Sequence, residues 1–145
     1  MNRSGRVSIV GLVCLVGVVL FGAVFLLGRE SLSVVGGRFM DALARGDVDT
    51  LTKMTYLGNE TQEDIHKQWE FTCNTAGRYY NFFYHITASS QADPKSGSVQ
   101  MQVTRDAANP GAYEENFQLP MVKVGDEWKV DVRGISREMY PSLPR

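Results

Sequence analysis

Tyr79-Tyr80-Asn81-Phe82-Phe83-Tyr84-His85-Ile86-Thr87 decides the architecture of this chain. Tyr80, Phe82, Tyr84 and Ile86 alternate with Asn81, Phe83, His85 and Thr87. Successive side chains of a strand point to opposite faces, so this period of two predicts a half-buried strand. The same period recurs downstream. A turn at Asp93-Pro94-Lys95-Ser96-Gly97 leads into Val99-Gln100-Met101-Gln102-Val103-Thr104. Asn109-Pro110-Gly111 precedes a strand over 113–124, with a bend or bulge expected at Pro120, because proline cannot donate to a ladder. A tight Gly125-Asp126 turn then opens Trp128-Lys129-Val130-Asp131-Val132-Arg133. Short connections between alternating strands predict an antiparallel meander of four strands.

Upstream the period is helical. Leu32, Val35, Phe39 and Leu43, joined by Met40, line one face of a first helix. Gly46 stands where a helix C-terminus favours a residue that tolerates positive φ. Asp47 can cap a second short helix carrying Val48, Leu51 and Met54. Gly36-Gly37 weakens the first helix or marks a flexible joint. Thr61 and Asp64 have the spacing of a capping box, with Asp in place of the usual Glu or Gln. They open a third helix with Ile65, Trp69, Thr72, Cys73 and Ala76 on one side, ended by Gly77. Three helices followed by four antiparallel strands define an α+β layout, with helices packed on one sheet face.

Residues 7–28 contain no charged side chain over 22 positions. As a helix this run is roughly 33 Å long, which matches a hydrocarbon core of about 30 Å. The expectation is one N-terminal transmembrane helix, a signal anchor. Arg3, Arg6 and the terminal amine precede it, against Arg29 and Glu30 after it. Basic residues near a span favour the cytoplasmic side, so the N-terminus is expected inside and the domain outside, in a periplasmic or extracellular space. The competing reading is a cleaved signal peptide, but its apolar region is normally shorter and Phe25-Leu26-Leu27-Gly28 is a poor cleavage site. Gly11-Leu12-Val13-Cys14 does not resemble a lipoprotein box. Gly11, Val18 and Gly22 share a face with Ser8 and Leu15, a candidate helix–helix contact if the face does not simply meet lipid. The chain then divides into a stub (1–6), the span (7–28), a domain (29–134) and an irregular tail (135–145). Pro141 and Pro144 in that tail have polyproline-ligand spacing, which carries little weight outside the cytoplasm.

The 117 residues after the run suffice for one core. Removing Arg3 and Arg6 from the 15 basic residues leaves 13 against 16 acidic, a net charge of −3. There is no basic stripe of the kind nucleic acid requires. Cys14 lies in the run and Cys73 in the domain, so no disulfide can staple the domain internally. Cys73 is then either buried, as free cysteine usually is, or available to another chain. Asn59-Glu60-Thr61 matches a glycosylation sequon, relevant only to a eukaryotic secretory pathway.

Phe39-Met40-Asp41-Ala42-Leu43-Ala44-Arg45-Gly46-Asp47, followed by Leu51, resembles the opening of nuclear-transport-factor-2-like domains, also termed cystatin-like or ketosteroid-isomerase-like. Val122-Lys123-Val124-Gly125-Asp126-Glu127-Trp128-Lys129-Val130 resembles their last hairpin. The resemblance implies a strongly curved sheet wrapped around helices as a cone. It also implies a family that spans isomerases, dehydratases, ligand binders and membrane-anchored accessory domains, and that often dimerises through the outer sheet face.

One face of the predicted strands carries Tyr80, Phe82, Tyr84, Ile86, Val99, Met101, Val103, Phe117, Leu119, Trp128, Val130 and Val132. It holds no carboxylate and no histidine, whereas an isomerase-type enzyme needs an acid or base beside the proton it moves. A filled core is expected there, with a dry or lipid-binding pocket as the alternative. Asp41 and Tyr56 could reach the cone from the helical part, but Asp41 lies opposite the Phe39 and Leu43 stripe, and Tyr56 reads as a core residue with its hydroxyl at the rim. His66, Glu70 and Cys73 share a helix face at zinc-ligand spacing, with no fourth ligand evident. The plainer reading makes them surface neighbours and a core-edge cysteine. Asp131 and His85 face outward.

The opposite face is the candidate interface. Tyr79, Phe83, His85 and Gln102 lie there among neutral polar side chains, the composition of an interface core with a polar rim, or of a solvated sheet with two stray aromatics. The expected function is therefore a non-enzymatic accessory or scaffolding subunit of a membrane protein complex, with no catalytic residue, metal or cofactor. Its expected partners are the lipid bilayer and either other subunits or a second copy, and not nucleic acid. The alternatives are a binder of a small apolar molecule or lipid in the cone, and an isomerase- or dehydratase-like enzyme.

Overall fold

Four caps set the boundaries of the helical layer. The computed structural model describes residues 30–106 and 108–145. Ser31 starts α1 (Leu32–Arg45), its side chain accepting from the Val34 N–H. Gly46, at φ 66°, ends it in the left-handed region. The Asp47 N–H returns to the Ala42 carbonyl (2.9 Å) and the Gly46 N–H to that of Leu43 (3.2 Å), a Schellman closure. Asp47 then starts α2 (Val48–Met54), accepting from the Thr50 backbone and hydroxyl, and these two bonds hold its carboxyl below the usual range. Thr61 starts α3 (Gln62–Phe71) and accepts from the Asp64 N–H. Only half of the capping box forms. The shorter Asp64 carboxylate takes the Thr61 hydroxyl (2.7 Å) instead of reaching back to the backbone. The helix passes into a π turn (Thr72–Ala76), closed by the Gly77 N–H on the Thr72 carbonyl (2.7 Å).

The sheet has five strands, one more than the periodicity predicts. β1 (Thr55–Tyr56) pairs in parallel with β5 (Glu127–Asp131). Two residues emerging directly from a helix are too few to show alternation. β2 (Phe82–Asp93), β3 (Ser96–Arg105) and β4 (Glu114–Val124) complete an order β1-β5-β4-β3-β2, antiparallel apart from the β1–β5 pair. β2 outruns its apolar alternation because Ala88–Asp93 is polar on both faces and the register shifts twice, between Ile86 and Ala88 and between Gln91 and Asp93. No break occurs at Pro120, contrary to expectation. Pairing with β3 runs through it, and β5 reaches only to Met121, so no ladder bond is asked of the missing N–H. The chain leaves β5 at Asp131 into a 3₁₀ turn (Val132–Gly134).

α1 lies against the inner sheet face. Phe39, Met40 and Leu43 meet Val99, Met101, Val103, Leu119 and Val130 in one buried cluster, each side chain contributing about 1.5–3 kcal/mol. Gly36 is a packing position and not a joint: a Cβ there would stand 3.0 Å from Val99 Cγ2. α3 is tied in through Trp69. Its ring meets Phe39 edge-on at 5.9 Å, and its N–H donates to the Thr55 hydroxyl (2.9 Å), which itself donates to the Leu51 carbonyl (2.7 Å).

Residues 135–145 form no helix or strand, yet belong to the same compact unit, Ser31–Arg145. Ile135, Met139, Tyr140 and Leu143 are buried in the common core. The Thr72 hydroxyl donates to the Ser142 carbonyl (2.6 Å), and the Arg145 guanidinium donates to the carbonyls of Val132, Arg133 and Ile135. Among the described residues no helix is long and apolar enough to cross a membrane. The expected span over 7–28, with Gly11, Val18 and Gly22, lies outside the described residues.

Candidate functional site

The inner face is filled by the chain itself. Tyr140 packs edge-on against Tyr80 (5.0 Å) and Phe82 (6.0 Å), and the Tyr80 hydroxyl donates to the Met139 carbonyl (3.0 Å). Tyr84 reaches past the helix, its hydroxyl 2.6 Å from Asp41 Oδ1 and 3.0 Å from the Gly37 carbonyl. Burial, reinforced by the Asp41 carboxylate, pushes this phenol up to about 12. Asp41 is exposed on α1, as its helical position predicts, but the hydrogen bond from Tyr84 was not legible, since it joins residues 43 apart. Tyr56, expected in the core, is exposed, because its place on the edge strand β1 turns it outward.

One carboxylate does stand on the inner side. Glu115 lies opposite Val103, one alternation before Phe117, and forms an ion pair with Arg105. Arg105 also donates to the Glu138 carbonyl (3.2 Å), joining the sheet end to the tail. Glu115 is thus committed to a charge partner. Every buried side-chain N or O among the described residues has a hydrogen-bond partner.

The His66, Glu70 and Cys73 trio separates. His66 Nε2 is 3.2 Å from Asp49 Oδ1 and its Nδ1 3.8 Å from Glu70 Oε1, while Cys73 is buried. Asp49 comes from α2, a partner that spacing within one helix cannot reveal. Burial first, then the charge of Asp47, pushes the Cys73 thiol up to about 11, which keeps it protonated and unreactive near neutrality. Cys73 lines an open cleft of about 470 Å³ beside Arg45, Asn74, Arg78, Asn81 and Tyr140. No sequence motif marks this cleft, because its walls come from the end of α1, the π turn, the turn before β2 and the tail.

The outer face keeps its aromatics in the open. Phe83 is 70% exposed and stands in register with Thr104, which pairs with Glu114; the next row on that face is His85, Gln102 and Asn116. His85 is exposed and Gln102 half-buried. Tyr79 is 81% exposed but belongs to the turn before β2, since the ladder begins only at Phe82. The Arg78 guanidinium sits over its ring at 5.4 Å.

No protein-family model matches this chain, and no curated protein does. Among solved structures the neighbours are NTF2-like, ketosteroid-isomerase-like and cystatin-like domains. An NTF-2 like protein of unknown function from Shewanella oneidensis is 12% identical over 68% of this chain and 90% of its own, with a TM-score of 0.49. A ketosteroid isomerase-like protein from Erwinia carotovora is 12% identical over 68% and 87%, at 0.48. A domain of unknown function with a cystatin-like fold from Nostoc punctiforme is 10% identical over 68% and 69%, also at 0.48. Neither activity nor ligand is implied for this chain by likenesses of this grade.

Proposed function

We propose that this chain is a single-pass membrane-anchored accessory subunit of a membrane protein complex, working by protein–protein interaction through the outer face of its sheet. The observation that carries this reading is the contrast between the two faces. The inner face is closed by α1 and by Met139 and Tyr140 of the tail, while Phe83 stands 70% exposed among polar neighbours on the outer one. Large aromatics bounded by a polar rim are what a binding surface uses for its central contacts. The uncharged run over 7–28 supports the anchor, and the basic residues before it support an extracytoplasmic domain. A ligand-binding cone would need space where Tyr80, Phe82 and Tyr140 now pack against one another.

The test is native mass spectrometry of the full chain, purified at its native level in mild detergent. Recovery at fixed stoichiometry within a larger assembly, lost in Phe83→Asp, is the expected result. Recovery as a monomer, or an assembly indifferent to Phe83→Asp, overturns the reading.

A further inference from the structure

We infer that the cleft between the end of α1 and the turn before β2 is a binding site for a small oxyanion, a molecule that presents a carboxylate or phosphate group to Arg45 and Arg78. The inference is independent of the outer-face reading. At about 470 Å³ the cleft falls within the size of small-molecule sites, about 300–1,000 Å³. Its lining includes Arg45 and Arg78 together with Asn74 and Asn81.

The partners of each group decide the ligand. Among the described residues, neither Arg45 nor Arg78 has a carboxylate within ion-pair distance, and Arg78 has only the Tyr79 ring. Asp47 is near Arg45, but both its oxygens are taken by Thr50. Asp106 acts on the adjoining Tyr80, where the Arg105 guanidinium opposes it. The other polar groups are already used: the Tyr80 hydroxyl donates to the Met139 carbonyl and that of Tyr140 to the Gly77 carbonyl. What remains is the positive charge of Arg45 and Arg78, beside the amides of Asn74 and Asn81, which both donate and accept, and the carbonyl end of α1. Guanidinium forks match the oxygens of carboxylates and phosphates in pairs.

The experiment follows the side-chain N–H signals of the full chain in nonionic micelles by nuclear magnetic resonance. Inorganic phosphate and succinate are titrated separately against sodium chloride of equal ionic strength. A third arm replaces them with micelles doped with phosphatidylglycerol, separating a lipid headgroup from a soluble source. Saturable shifts of Arg45 and Arg78 in any arm are expected, and the arm that saturates at the lowest concentration names the source. Arg45→Gln and Arg78→Gln are each expected to weaken binding about tenfold, whereas Arg133→Gln, whose guanidinium pairs with Glu60 instead, leaves it unchanged. Both cleft arginines are exposed, so these variants keep the fold. Shifts that stay linear in every arm, or saturable binding that survives the double substitution, overturn the site.

Discussion

The ring of Tyr140 occupies the space that any side chain at Gly77 would need. A Cβ built on Gly77 lies 2.2 Å from the Tyr140 hydroxyl oxygen and 2.6 Å from Cζ. The contact joins the π turn to the C-terminal tail across 63 residues. Gly77→Ala must push the ring out of its place against Tyr80 and Phe82, so a loss of about 1–3 kcal/mol is expected in urea denaturation. Tyr140→Ala alone should cost more, about 3–5 kcal/mol. The double variant should cost clearly less than the two losses added, because the clash requires both residues.

Gly36 and Gly37, neighbours in one helix, are expected to respond to alanine with opposite signs. At Gly37 a Cβ meets Ile86 Cδ1 at 3.6 Å, an ordinary contact, so Gly37→Ala should stabilise by about 0.5–1 kcal/mol through helix propensity. At Gly36 it meets three atoms of Val99 at 3.0–3.2 Å. Val99 is fully buried and β-branched, so its side chain cannot turn aside. Gly36→Ala should lower the thermal midpoint despite the same propensity gain.

Trp69 and Thr55 form a buried relay to the Leu51 carbonyl. Thr55→Val keeps the shape but leaves the indole N–H and that carbonyl without their partner. The expected cost is about 1–3 kcal/mol, read by chemical denaturation. A variant as stable as the parent would show that the indole N–H finds another acceptor.

The alkaline limit of stability follows from two buried groups, Cys73 and Tyr140, and one half-buried group, Tyr84. Cys73 is pushed up to about 11 from 9.0, and Tyr84 and Tyr140 to about 12 from 10.0, chiefly by burial. The unfolded chain therefore releases these protons at lower pH than the folded one. Their contribution is complete below pH 9 and is lost as pH rises towards 11 and 12. Denaturation midpoints should fall across that window, less steeply in Tyr84→Phe and Tyr140→Phe. Iodoacetamide at pH 8 should modify Cys73 far more slowly in the folded chain than after unfolding.

Phe83→Asp places a charge on an exposed strand position. Folding stability should change by no more than about 0.5 kcal/mol, while association is lost. A thermal scan of the variant beside its native mass spectrum separates the two effects.

The three helices and the four long strands were legible because each buries one face, and burial writes a period of 3.6 or 2 into the sequence. Caps were legible too, since Asp47, Thr61 and Gly46 act within a few residues of themselves. The tail was not. Met139, Tyr140 and Leu143 are core residues held in irregular backbone, where no period exists to be read. The same reason hides the cleft. Arg45 and Arg78 are 33 residues apart, and only the packing of the π turn against α1 brings them to one opening. Phe83 could be placed on the outer face from alternation alone, but Tyr79 could not be assigned to its turn.

The strand that displays Phe83 is also the longer edge of the sheet, and among the described residues its twelve residues pair on one side only, a row of backbone groups that would ordinarily invite another chain to extend the ladder. The two register shifts, one at Thr87 and one at Ala92, interrupt that row of donors and acceptors, and the segment between them carries little apolar surface. A second copy cannot continue the sheet in register past either displacement. Crowding of many copies should therefore disfavour fibrous stacking through the backbone of this edge.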